Sequence, residues 1–123
     1  VQNDALNTGI RRLVALPANL PEAEFNRQLG DDLDEVWSFA MTFESLGILV
    51  HRGEVNLDLV DEFFGGMVIL SWDRLGPYIV AIRQRTGNPQ TLEWFQWLAE
   101  RLQEHREKPG TAPAYVKYRN WKP

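Results

Sequence analysis

Four stop signals cut this chain into segments of helical length. They are the run Pro-Ala-Asn-Leu-Pro over residues 17–21, the Gly53 turn ahead of Asn56, the triplet Gly87-Asn88-Pro89 and the triplet Lys108-Pro109-Gly110. Proline ends helices because it has no amide to donate. Glycine ends them because nothing holds its φ negative. Between the stops no stretch alternates apolar and polar residues as a half-buried strand does. The pattern predicts an all-α fold, an irregular antiparallel bundle of about four to five helices with an extended C-terminal tail.

Each segment carries its own boundary chemistry. Residues 4–16 are weakly helical and Pro17 stops them. Pro21 suits the first position of a short helix ending near Gly30, with Glu22 and Glu24 in its first turn. Asp31 is the expected cap of the next helix, where Asp32, Asp34 and Glu35 complement the positive end of the dipole. Helix-start chemistry accounts for those four carboxylates without a metal ion. This helix reaches Val50, and Arg52 and Gly53 end it. Asn56 is the expected cap of a long helix over residues 57–85. Gly65 and Gly66 in its middle would admit a close neighbour, and Pro77 predicts a kink or a split. Asn88 and Pro89 are the expected cap and first turn of a last helix ending near Glu107, with Trp94, Phe95, Leu98 and Leu102 as its apolar stripe. The chain thus reads as one domain: N-terminal helical segments over 1–30, core helices over 31–107 and an aromatic–basic tail over 108–123.

Composition excludes several classes. An apolar share of 44%, with five Trp and six Phe in 123 residues, supplies a core for one domain. The absence of Cys removes disulfides, thiolate nucleophiles and Cys-based metal centres. There is no phosphate loop, no GxGxxG and no GxSxG, and no nucleophile stands beside a base. The expectation is a non-enzyme without metal or cofactor. No apolar run is long enough for a bilayer, and the N-terminus lacks a signal-peptide pattern. The chain starts at Val1 rather than Met, which leaves room for upstream residues, an anchor among them.

Charge is unevenly spread. Residues 1–66 hold 12 acidic and 4 basic side chains, and the remainder hold 5 and 9, for a net −4. Nucleic acid is not an expected partner of so acidic a surface. The asymmetry fits acidic and basic helices packed side by side. It also fits a head-to-tail contact between copies.

Glu44 is the most informative single residue. At about 100° per residue it falls among Leu33, Trp37, Ala40, Phe43 and Gly47, opposite the polar face of its helix. A carboxylate placed there must be paired, hydrogen-bonded or protonated. Arg83 is the first expected partner and Arg74 the second, because a guanidinium stays charged and forks onto a carboxylate. Trp72 lies on the same face as Arg83. The expectation is a buried ion pair between helices, or else a polar spot in a ligand pocket. His51, at the end of the Glu44 helix, and His105, near the end of the last one, read as dipole or packing residues, since their spacing matches no metal motif.

The tail mixes aromatics and cations: Tyr115, Lys117, Tyr118, Arg119, Trp121 and Lys122. Such interleaving can hold an anionic surface, or it can drape over the domain and bury its rings. Draping is the expectation here.

From Phe39 to Leu102 the chain resembles a family of small bacterial proteins described only as a domain of unknown function. The residues that carry the likeness are Phe43-Glu44, Arg52-Gly53 with Val55-Asn56, Gly65, Trp72, Pro77, Arg83, Phe95 and Leu98. The resemblance implies no catalytic residues, and it singles out Glu44, Trp72 and Arg83. It also implies a membrane-spanning segment ahead of the helical part, hence a cytoplasmic domain tethered to the inner membrane. The function expected is a helical interaction or regulatory module with a protein partner or a second copy of itself. The alternative is a small-ligand-binding domain, less readily an enzyme, with a pocket near Glu44, Trp72 and Arg83. A membrane contact would come only through an upstream segment or the C-terminal tail.

Overall fold

The computed structural model describes the backbone of residues 2–123 and the side chains of residues 8–123. Among these residues stand six α-helices and no strand: α1 (Gln2–Val14), α2 (Glu22–Leu29), α3 (Leu33–His51), α4 (Leu57–Thr86), α5 (Glu93–Glu107) and the short α6 (Ala114–Lys117). The fold is an all-α bundle. Helices α1 and α5 each pack on both α3 and α4, so α3 and α4 are joined mainly through them, and α2 lies against α4. α5 runs antiparallel to α4. At one end Arg106 donates to Asp61 at 2.7 Å. At the other Arg83 donates to the Thr91 carbonyl at 2.9 Å.

Aromatic rings form the centre. Phe39 meets Phe43 at 5.8 Å, Phe43 meets Phe95 at 5.4 Å, and Phe95 meets Trp72 at 5.1 Å, all edge to face. This chain of rings links α3, α5 and α4 with the offset geometry that aromatic quadrupoles favour. Leu13, Val68, Ile79, Leu98 and Leu102 close around it, fully buried. A second layer holds α2, where Phe25 stacks on Tyr78 at 4.0 Å and the Tyr78 hydroxyl donates to Asn26 at 2.6 Å.

Boundary chemistry explains where the helices begin, and it differs from expectation at three places. Asn56 caps α4, accepting from the amides of Asp58 at 2.7 Å and Leu59 at 3.4 Å. Asp31 does not cap α3. A 3-10 turn over Gly30–Asp32 leads into that helix, and Asp32 takes Arg12 at 2.7 Å instead. Asn88 and Pro89 do not open α5. Asn88 accepts from the Gln90 amide at 3.0 Å, which makes a local turn, and the helix begins only at Glu93. Nor does Pro77 split α4, which is one helix of 30 residues with the proline ring turned to solvent.

Candidate functional site

The start of α5 has no cap of its own. Leu92 precedes the helix in the left-handed region, φ 52°, and offers no side-chain acceptor. The first amides of any helix lack intrahelical partners. Here Glu44 satisfies two of them from α3: its Oε1 accepts from the Trp94 amide at 2.9 Å and the Phe95 amide at 2.8 Å. These are the amides a capping Asp or Ser would take, and a carboxylate at this end also meets the positive pole of the dipole. Gly47, one turn further along α3, admits the contact. A β-carbon there would stand 2.9 Å from the Trp94 carbonyl carbon, inside van der Waals distance.

Glu44 therefore does not form the ion pair with Arg83 that its place on the apolar face of α3 led us to expect. Arg83 Nε donates to the Thr91 carbonyl at 2.9 Å, and Nη1 donates to Gln96 Oε1 at 2.7 Å. Its guanidinium lies 5.8 Å over the Trp72 ring. Glu44, Arg83 and Trp72 all meet the first turns of α5, but each holds a different part of it. His51 joins them on the outer side, with its ring 4.7 Å from Trp94 and 5.5 Å from Trp97. Arg74 is not part of this cluster. It lies about half a turn of α4 away from Trp72, beside Asp73 at 3.7 Å, with a buried Nε that has no acceptor.

The polar atoms at the α5 start are thus engaged in holding helices together. The hollows nearby are shallow. One of about 260 Å³ is lined by Ile69, Trp72, Asp73, Ala99, Glu100 and Gln103. Another is lined by Glu93, Trp94 and Trp97. Neither includes Glu44 or Arg83. No group of three or more metal-ligating side chains gathers among the described residues.

The chain belongs to the family described as a domain of unknown function, DUF4760. Its sequence profile matches residues 5–102, from within α1 through most of α5, and stops short of the tail. No curated protein and no solved structure matches the chain significantly. Among the described residues of this DUF4760 domain, no helix is long and apolar enough to cross a membrane.

Two surfaces of the chain, one within the DUF4760 match and one beyond it, carry exposed apolar side chains. The first is the outer side of α4. Leu59, Phe63, Gly66, Leu70, Asp73, Pro77 and Val80 follow one another at alternating spacings of four and three, and all are exposed. That spacing confines them to a sector of about 100°, the seam geometry helices use to pair. Phe63 is 70% exposed, and its ring sits 6.1 Å from that of Phe64, itself exposed. This stripe is not legible in the sequence. α4 carries apolar residues on every side, so its pattern does not reveal which side faces out.

The second surface is the tail, and here the draping expectation is overturned. Every residue from Arg106 to Pro123 is exposed, with Tyr115 at 75% and Trp121 at 68%. The turn that carries the tail away from α5 is fixed locally. The Thr111 hydroxyl donates to the carbonyls of Arg106 at 2.9 Å and Lys108 at 2.8 Å. Gly110 adopts φ 90°, where a side chain would be strained. Beyond it α6 presents Tyr115 and Val116 to solvent, and Lys117 lies 5.3 Å over the Tyr118 ring.

Proposed function

We propose that this domain is a non-catalytic interaction module that binds a protein partner along the outer stripe of α4. The observation that carries the reading is the run of exposed apolar side chains Leu59, Phe63, Leu70 and Val80 on one side of a single unbroken helix. Contiguous apolar surface of this kind marks interaction sites, because leaving it in water is unfavourable. Charge narrows the partner. Residues 53–73 hold Glu54, Asp58, Asp61, Glu62 and Asp73 and no Lys or Arg, and although α5 brings Arg106 to Asp61 and His105 to Asp58, Glu54, Glu62 and Asp73 remain exposed. Nucleic acid and anionic lipid are repelled by such a stripe, whereas a basic polypeptide with apolar anchors is matched to it.

The test places a photoreactive benzoylphenylalanine at Phe63 or Leu70 in the cells that make the protein, with exposed Ala23 on α2 as the control position. Covalent adducts with a polypeptide are expected from positions 63 and 70 and not from 23. Irradiation that yields no adduct at either stripe position removes the reading.

A further inference from the structure

We infer that the stripe of one copy receives the C-terminal tail of a second copy. The inference rests on the interaction reading above and names the partner. Three observations point to it. The tail is a chemical complement of the stripe: residues 108–123 contain Lys108, Lys117, Arg119 and Lys122 and no Asp or Glu, while Glu62 and Asp73 stand exposed along the stripe, Asp61 beside them being already taken by Arg106 and Asp58 by His105. Both carry exposed apolar anchors, Leu59, Phe63 and Leu70 on one side and Tyr115, Val116 and Trp121 on the other. Finally, every residue from Arg106 to Pro123 and every residue of the stripe is exposed, so neither surface covers the other within one chain.

Dimensions and symmetry agree. From Leu59 to Leu70 the stripe runs about 16 Å at 1.5 Å per residue. With α6 kept helical and the other nine residues extended, the tail beyond Gly110 reaches at most roughly 36 Å, longer than the stripe it would lie along. Each copy has one stripe and one tail. Two copies that exchange tails satisfy both at once and close a dimer, and the two contacts together bury more than a single helix-to-peptide contact would. The anchors supply the buried area, and the opposite charges fix orientation and speed encounter.

The experiment is a complementation measured by sedimentation velocity. One variant, Phe63→Asp, keeps the tail and damages the stripe. The other ends at Gly110, keeps the stripe and lacks the tail. Both alterations fall on exposed residues, and circular dichroism of each should match the parent. A triple reversal, Lys117→Glu with Arg119→Glu and Lys122→Glu, replaces the truncation without shortening the chain. The intact protein is expected to associate as its concentration rises. Each variant alone should associate at least about tenfold more weakly, and the equimolar mixture, which retains one of the two contacts, should recover part of that loss as a species of two chains. Raising salt from about 0.05 to 0.5 M should weaken that species. A mixture that stays monomeric overturns the inference. So does self-association of the truncated chain as strong as the parent's, or a tail that sediments with phosphatidylserine vesicles while the mixture stays monomeric. Adducts at Phe63 with a different protein would overturn the tail assignment and leave the interaction reading standing. Absence of any adduct would remove both.

Discussion

The Phe95 amide donates to the Glu44 carboxylate at 2.8 Å, and this bond ties the middle of α3 to the first turn of α5. The Trp94 amide shares the same oxygen at 2.9 Å. Phe95 is fully buried and touches rings from both α3 and α4. The cap thereby sets the register in which α5 presents its central aromatic to the core. Both donors are backbone amides, so Glu44 needs to be an acceptor more than it needs to be charged.

Replacing Glu44 with Ala leaves two amides without an acceptor and should cost about 1–3 kcal/mol of stability. Glu44→Gln retains a carbonyl oxygen and loses only the favourable charge at the helix pole, about 0.3–1 kcal/mol. Urea unfolding of the two variants measures the gap. Equal, large losses in both would mean that the negative charge itself is required, as a hidden guanidinium partner would demand.

The Glu44 cap shows what the sequence could and could not disclose. A lone carboxylate among Trp37, Ala40 and Phe43 was readable as a group needing a partner, and the helical class followed from the stop signals. The partner was not readable. Asn88 and Pro89 make a complete helix-start signal, so α5 looked already capped, and the left-handed Leu92 that really precedes it has no pattern that announces it. With the donor amides hidden in this way, only side chains remained as partners, and Arg83 was the nearest in kind. The tail failed for a different reason. Its ring content argues for burial, but burial depends on where the Gly110 turn aims the chain, which is a matter of backbone geometry rather than composition. The α4 stripe stayed invisible because the helix is apolar on all sides.

Gly47 and Gly66 give opposite expectations for one substitution. At Gly47 a methyl group meets the Trp94 backbone, which cannot swing aside as a side chain can. Gly47→Ala should destabilise by about 1–3 kcal/mol or more and should shift the α5 amides in an NMR spectrum. At Gly66 the nearest atom to a new methyl is Arg106 Nη1 at 3.6 Å, an ordinary contact. Gly66→Ala should therefore stabilise α4 by about 0.5–1 kcal/mol, the helical advantage of alanine. Thermal melts of the pair read both signs.

Tyr78 predicts an alkaline limit. Burial, followed by the nearby Glu22 carboxylate, pushes its phenol above the ordinary tyrosine range. The folded state thus favours the protonated ring, which also donates to Asn26. Its stabilising contribution is complete below the unfolded tyrosine value of about 10 and is lost as pH climbs from there through the raised folded value. Alkaline pH acts on the whole chain, so the informative quantity is a difference. The stability of the parent relative to Tyr78→Phe should be constant from about pH 7 to 9 and fall above about pH 10. A difference that stays flat to the end of the range would contradict this account.

Pro77 interrupts α4 without ending it, and the interruption should carry a measurable penalty. It has no amide to donate to the Asp73 carbonyl one turn earlier, and its ring crowds that turn. Because the ring is exposed, Pro77→Ala removes little packing from the core. Restoring the missing bond should outweigh the freedom that alanine returns to the unfolded chain, which offsets at most about 1 kcal/mol. The variant is expected to be more stable by about 1–2 kcal/mol, a rise of several degrees in melting temperature for a domain of this size. A fall in melting temperature would carry a different meaning. It would show that α4 has to bend at this point so that Tyr78 can reach Phe25 on one side of the helix while Leu75 and Ile79 stay in the core. Straightening the helix would then pull α2 off its seat.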